Sequence, residues 1–363
     1  MDTVNDTLST LQEDTDPLQI KTAYMITIPI ISFLIVSGNL CTINAFLKLP
    51  SIIHDAPSEM LILSLSCADL ITGLFAIPLY SPNWITGHWP LREVTCRIWG
   101  FLMDTVIIAT LFTLCQISLD RFLLVLKEYP QYMKIQSRRR LQITVAVIWC
   151  LSLSVAAIEI DIWDVAKMLD ESASLIDYSK DCLSPARRVK WFSLTLFWAI
   201  YFLPILLVCA LSTAFFYLLR KRLAKSWGMR AGSKLSRPNG GGQSRKQSSS
   251  PSYYQQQKKQ YIKPAATLLV LVSAMAVCML PYCVYVIAME AGCRQCADYD
   301  VLYVLLLLQF CNAGLDPFFY VMTQRQIQRF YKDRLTKLLL GRGHSVKQKN
   351  KQITTISRSH VST

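Results

Sequence analysis

The sequence predicts an all-α membrane protein, a seven-transmembrane helix bundle with a short amphipathic eighth helix. The first observation behind this is composition. Of 363 residues, 52% are hydrophobic and only 17% charged, with a mean hydropathy of +0.32. A soluble chain carries about 25% charge. The second is segregation: the apolar residues come in blocks of roughly 20, the length that crosses a hydrocarbon core of about 30 Å. The third is an alternation of basic and acidic connecting segments, which the positive-inside rule explains.

The blocks run over 22–48, 58–81, 97–126, 141–160, 191–219, 264–289 and 300–322. Together they define a bundle over residues 22–322. The preceding tail, 1–21, holds Asp2, Asp6, Glu13, Asp14 and Asp16 but no base before Lys21, so it is expected outside. It also carries the sequon Asn5-Asp6-Thr7, which makes Asn5 a glycosylation candidate. An acidic, polar start does not read as a cleavable signal, so the first span is expected to act as the insertion signal. Alternate loops then fall inside. They hold Arg138-Arg139-Arg140, Arg220-Lys221-Arg222, Lys258-Lys259 and most bases after Arg325. This topology accounts for the net charge of +14 without a nucleic-acid partner.

The inner segment 223–262 is rich in Ser, Gln and Gly, cannot bury enough apolar surface, and is expected to be disordered. Residues 323–340 alternate Ile327, Phe330, Tyr331 and Leu335 with Arg and Lys, the pattern of a helix lying on membrane lipid. The tail 341–363 is basic and ends in Ser and Thr. With Ser248 behind Arg245, it offers phosphorylation sites.

Of 12 cysteines, most lie inside spans and read as small buried hydrophobes. Cys96, Cys182, Cys293 and Cys296 lie on the oxidising side, and four cysteines allow three pairings. A local Cys293–Cys296 loop would leave Cys96 for Cys182. No second half-site or nearby His supports a zinc centre.

Ionisable residues inside a span are costly and therefore functional candidates. Here they are Asp69, Asp104, Asp120, Arg121 and Asp316, with Asn39 and Asn312 as neutral companions. Two carboxylates in one core need a proton or a cation between them. Pro78, Pro204, Pro281 and Pro317 each interrupt a different span and offer hinges.

These residues fall in a recognisable order. Gly38-Asn39 lies in span one, Leu65-Ser66-Cys67-Ala68-Asp69 in span two, and Asp120-Arg121-Phe122 at the end of span three. Trp149 follows in span four and Phe202-Leu203-Pro204 in span five. Cys278-Met279-Leu280-Pro281-Tyr282 lies in span six and Asp316-Pro317-Phe318-Phe319-Tyr320 in span seven. The chain resembles rhodopsin-like (class A) G protein-coupled receptors over about 22–335. The resemblance implies a plasma-membrane receptor with its N-terminus outside, which binds an extracellular ligand and activates a heterotrimeric G protein. Receptor kinase and arrestin would follow as later partners. Asp120, Arg121 and Tyr320 would form the G protein switch. Asn39, Asp69, Thr110, Asn312 and Asp316 would form a core sensitive to an allosteric sodium ion, with no other cofactor. Cys96–Cys182 would be the loop disulfide.

Local similarity is loosely nearest to biogenic amine receptors of the muscarinic and histamine kind, through Gly87-His88-Trp89, Asp120-Arg121-Phe122, Pro281-Tyr282 and the Cys293/Cys296 loop. An amine needs a buried carboxylate and aromatic faces. Asp104 is the candidate carboxylate, with Tyr282, Tyr285 and Phe310 as the cage. Departures from that branch are specific. Met103 stands where amine receptors place the carboxylate, and Asp104 is one residue later, about 100° round the helix. Leu196 and Ile200 occupy the span-five contact positions, while Leu306 and Leu307 replace span-seven aromatics. Met279 replaces the span-six Trp, Tyr261 replaces an acidic partner for Arg121, and Ser212 replaces a span-five Tyr. The last three losses predict appreciable basal activity.

A peptide or other ligand gathered by the acidic segment Asp161–Asp181 is the alternative, as is an atypical, arrestin-biased receptor. A transporter would use the buried aspartates as a relay but should show inverted repeats, and none is visible. An enzyme is excluded by the lack of a nucleophile–base set: His54, His88, His344 and His360 all lie in loops or termini.

Overall fold

The computed structural model describes residues 17–50, 57–127, 129–169, 182, 194–195, 197–235, 263–290, 299–323 and 325–339. Every regular element among them is helical. Seven helices are long and apolar enough to cross a membrane: Thr22–Lys48, Glu59–Thr86, Arg92–Leu126, Arg138–Ile160, Phe197–Ala224, Ala265–Met289 and Val304–Thr323. They are called the first to seventh spans below. The chain separates into two units, Met1–Phe319 and Tyr320–Thr363.

The third span packs against the second, fourth, fifth and sixth. Its buried residues run through more than half of its length, from Cys96 to Val125. Its half-buried residues Phe112, Gln116, Leu119 and Leu123 fall at helical spacing, so the helix keeps one narrow stripe free and encloses the rest.

Close packing against the first span explains two glycines. A Cβ at Gly38 would lie 2.9 Å from Cγ of Pro317, and one at Gly73 would lie 2.8 Å from Cγ2 of Ile35. The proline ring cannot swing away. Gly38→Ala is therefore expected to destabilise the bundle by about 1–3 kcal/mol, the usual effect of overpacking. The check is the thermal midpoint of the purified full-length protein, which should fall below wild type.

Two spans widen locally into π-helical turns beside prolines: Thr72–Ala76 before Pro78 and Phe197–Phe202 before Pro204. Proline has no N–H, and its ring crowds the carbonyl four residues back. In the wider pattern Ile77 N–H reaches Thr72 O. The next bond in that series would come from Pro78, which cannot donate to Gly73 O. The hydroxyl of Ser32 on the first span takes that carbonyl at 2.7 Å. The break in one helix is thus repaired by its neighbour.

Trp149 on the fourth span donates its indole N–H to Oγ of Ser64 on the second, at 3.0 Å. Gly87 ends the second span in the left-handed region (φ 73°) and donates to Asn83 O at 2.9 Å. Trp89, fully buried, then donates to Arg92 O. These contacts explain Gly87-His88-Trp89 as a helix stop followed by an anchoring indole.

The fifth helix continues from Leu203 to Leu235. Composition places the start of the disordered inner loop at 223, so this is a correction. Helix-forming Leu223, Ala224, Lys225, Met229, Arg230 and Ala231 carry the helix into the polar segment. The fourth helix likewise continues past Ile160 to Leu169. In the second unit, Tyr320 is fully buried and the amphipathic helix spans Arg325–Leu339. Asn5, Tyr261, Ser248, Cys293, Cys296 and the tail 341–363 lie outside the described residues.

Candidate functional site

The two ends of the third span carry the two candidate centres. At its Cys96 end, Cys96 and Cys182 form a disulfide with a Cα–Cα distance of 5.4 Å. Beneath it is a cavity of about 110 Å³. Tyr80, Trp99, Tyr201 and Tyr282 supply its aromatic wall, and Asp104 and Glu159 its acidic residues. Tyr80 stacks on Trp99 at 4.4 Å, and Trp84 meets Phe310 edge-on at 5.8 Å. Trp99 is fixed by an indole bond to Ala76 O at 3.1 Å.

Both Met103 and Asp104 line this cavity. The shift of one residue therefore turns Asp104 round the helix without removing it from the cavity wall. Tyr282 and Leu306 line it as well. Ile200 and Tyr285 are half-buried but are not among its lining residues. Leu196 lies outside the described residues. Phe310 lines a second, smaller chamber of about 30 Å³ toward the middle of the span. Trp99, Glu159, Tyr201 and Gln309 carry no sequence signal tying them to a site, yet all line the upper cavity.

The smaller chamber is lined by Asp69, Thr110, Met279, Phe310 and Asn312 among others. Met103, Ile107 and Gln309 line both chambers. Asp69 is 2% exposed and has the Asp316 carboxyl as its neighbour. Its Oδ2 and the Oδ1 of Asn312 are buried with no hydrogen-bond partner among the described residues. Asn39 stands beside this core rather than in it. Its amide donates to Ile35 O and Ala313 O, both at 3.0 Å, tying the first span to the seventh.

At the other end, Asp120 and Arg121 are both buried and paired at 3.0 Å. Tyr132, on the short helix Tyr129–Ile135, donates its hydroxyl to Asp120 Oδ1 at 2.9 Å. Burial and the neighbouring Asp120 push the Tyr132 phenol well above its usual range, so it remains a donor. The guanidinium also approaches Oε1 of Glu59 at 4.0 Å and the Ser58 hydroxyl at 3.4 Å. Glu59 opens the second span and is only 6% exposed. Its place beside Arg121 was not visible in the sequence. A carboxylate in the first turn of a hydrophobic helix reads as a favourable helix-dipole contact, and nothing local ties it to residue 121.

Comparison with known proteins agrees with this arrangement. The description "7 transmembrane receptor (rhodopsin family)" matches residues 38–320. The chain is also 29% identical to the 5-hydroxytryptamine receptor 1B of Spalax ehrenbergi over 181 residues, 50% of this chain and 44% of that one. The horse (Equus caballus) and human (Homo sapiens) receptors of the same name are 28% and 27% identical over the same shares. The aligned region thus spans less than half the length of these relatives. With all seven spans present, the Cys96–Cys182 disulfide formed and Arg121 buried beside Asp120, the chain belongs to the rhodopsin family of seven-transmembrane receptors, a family of receptors rather than enzymes.

Proposed function

We propose that this protein is a plasma-membrane receptor, N-terminus outside, that binds a cationic amine in the upper cavity and activates a heterotrimeric G protein at the Arg121 end. The observation that carries this reading is Asp104 in the wall of an aromatic-lined cavity beneath the Cys96–Cys182 bridge. A carboxylate supplies the countercharge for an ammonium, and tyrosine and indole faces attract its partly solvated positive edge. The similarity to receptors named for 5-hydroxytryptamine supports the amine class.

The two chambers give the signal a physical route. A ligand touching Met103, Ile107 or Gln309 presses on residues that also wall the lower chamber. Asp120-Arg121 lies four to five turns further along the same helix. A ligand that binds better when the lower chamber is rearranged shifts the population toward that form. Receptor kinase and arrestin are the expected later partners, acting on the Ser- and Thr-bearing tail.

A sodium ion fits the lower chamber. The orphaned oxygens of Asp69 and Asn312, with the Thr110 hydroxyl, form an all-oxygen donor set, which suits a hard cation. Asp316 would hold Asp69 in place. The bound ion would supply positive charge that lets these carboxylates stay ionised together. In a thermal melt of the unliganded receptor, sodium chloride should raise the midpoint relative to an equal concentration of choline chloride. Asp69→Asn should remove that difference; an unchanged difference would place the ion elsewhere.

The reading is tested with a panel of biogenic amines and peptides on cells expressing the full-length receptor, reading G protein activation. Activation by an amine supports it. Activation by peptides alone would move the ligand to the acidic segment around Asp170 and Asp177.

A further inference from the structure

The second span meets the upper cavity beyond its π-helical turn. That turn, Thr72–Ala76, hands over to the outer helix Ile77–Thr86. Two hydrogen-bond patterns are open to this stretch, because Pro78 has no N–H to give. In an unbroken α-helix, Ile77 N–H would meet Gly73 O, and Leu74 O, four residues before the proline, would lose its donor. In the wider turn Ile77 N–H meets Thr72 O, and Gly73 O loses its donor instead. Each pattern thus strands one carbonyl. The Ser32 hydroxyl, on the first span, donates to Gly73 O at 2.7 Å. Gly73 is buried, and a buried carbonyl left without a partner is costly. The Ser32 bond is therefore needed by the π-helical form and not by the α-helical one, so it favours the former.

The turn adds one residue to the helix, which rotates everything beyond it by about 100°. In the observed form Tyr80 is buried and lines the cavity, while Leu79 is half-buried and not among its lining residues. Tyr80 stacks on Trp99 at 4.4 Å, and Ala76 O, at the end of the turn, holds the Trp99 indole at 3.1 Å. Without the extra residue, Leu79 would come round to the place of Tyr80. We infer that Ser32, which is not among the cavity's lining residues, is a positioning residue of the upper cavity. Its hydroxyl selects the π-helical form of the second span, and that form places Tyr80 and Trp99 in the wall. This deepens the reading of the upper cavity as the ligand site and rests on it.

The experiment labels the full-length receptor on intact cells with a cationic methanethiosulfonate and no ligand. The modified fraction is read at one introduced cysteine by peptide mass spectrometry. Tyr80→Cys is expected to react faster than Leu79→Cys. Adding Ser32→Ala should shift that ratio toward residue 79 by about tenfold, the worth of one buried hydrogen bond in an equilibrium. Ser32→Thr keeps a hydroxyl and should keep the original ratio. Ser32→Val has the same shape without the hydroxyl and should behave like Ser32→Ala. The Thr and Val pair reads the hydroxyl even where alanine disturbs folding. A ratio equal in those two variants would overturn the positioning role. Faster labelling of both cysteines together would overturn it too, since that is general loosening of the bundle. Either result leaves the amine reading standing, and failure of the amine panel leaves the labelling ratio untouched.

Discussion

Replacing Glu59 with glutamine is expected to raise ligand-independent G protein signalling, and Asp120→Asn to raise it further. Arg121 is the only buried base of the described bundle core, and its guanidinium faces Asp120 at 3.0 Å and Glu59 at 4.0 Å. At 4 Å the Coulomb attraction is about 4 kcal/mol at an effective dielectric of about 20. Much of that is offset by desolvation of both ions. A net contribution of about 1 kcal/mol to the closed form is enough: its loss raises a rare open population roughly fivefold. Asp120 is closer and is also held by Tyr132, so neutralising it should have the larger effect. Glutamine and asparagine keep shape and hydrogen bonding, so the change reads charge rather than packing. The measurement is G protein activation without ligand, normalised to receptor at the cell surface. Wild-type levels in both variants would show that this cluster does not restrain the receptor.

This cluster bears on one of the three departures, Met279, Tyr261 and Ser212, from which appreciable basal activity is expected. Tyr261 offers no carboxylate to Arg121 from the inner end of span six. The second span supplies one instead, at Glu59. A residue 62 positions away in sequence has no local pattern to reveal such a pairing, and the helices had to be assembled first.

Other parts were legible because their signals are local. Seven runs of apolar residues and the basic loops are properties of segments, and so are Gly38, Asp69, Asp120-Arg121 and Pro317. Gly38 and Pro317 prove to be two halves of one contact. The upper cavity was less legible, for a physical reason. Counting at about 100° per residue assumes an unbroken α-helix. The π-helical turn Phe197–Phe202 breaks that count in the fifth span. Ile200 is then not among the cavity's lining residues, and Tyr201 is. Tyr285 is likewise absent from the lining, and Phe310 stands a level lower, against Trp84. Glu159 carries no such signal, because an acidic residue at the end of an apolar block reads as the edge of a membrane helix. Asp104 stands out as a rare carboxylate inside a span, although the count alone places it off the expected face.

The second large effect concerns that residue. Asp104→Ala should weaken amine-stimulated signalling by at least about a hundredfold in potency, because truncating one partner of a buried charge pair costs 2–5 kcal/mol or more. The loss should appear as a shift in concentration dependence at unchanged surface expression. Signalling without ligand should persist, since Asp104 lines the upper cavity and the Arg121 cluster lies at the other end of the helix. The most direct test of the whole account is therefore the amine concentration–response of G protein activation, wild type against Asp104→Ala, in cells expressing the full-length receptor. Activation by an amine is expected in wild type, and its loss in the variant. Unchanged amine potency in Asp104→Ala would contradict it.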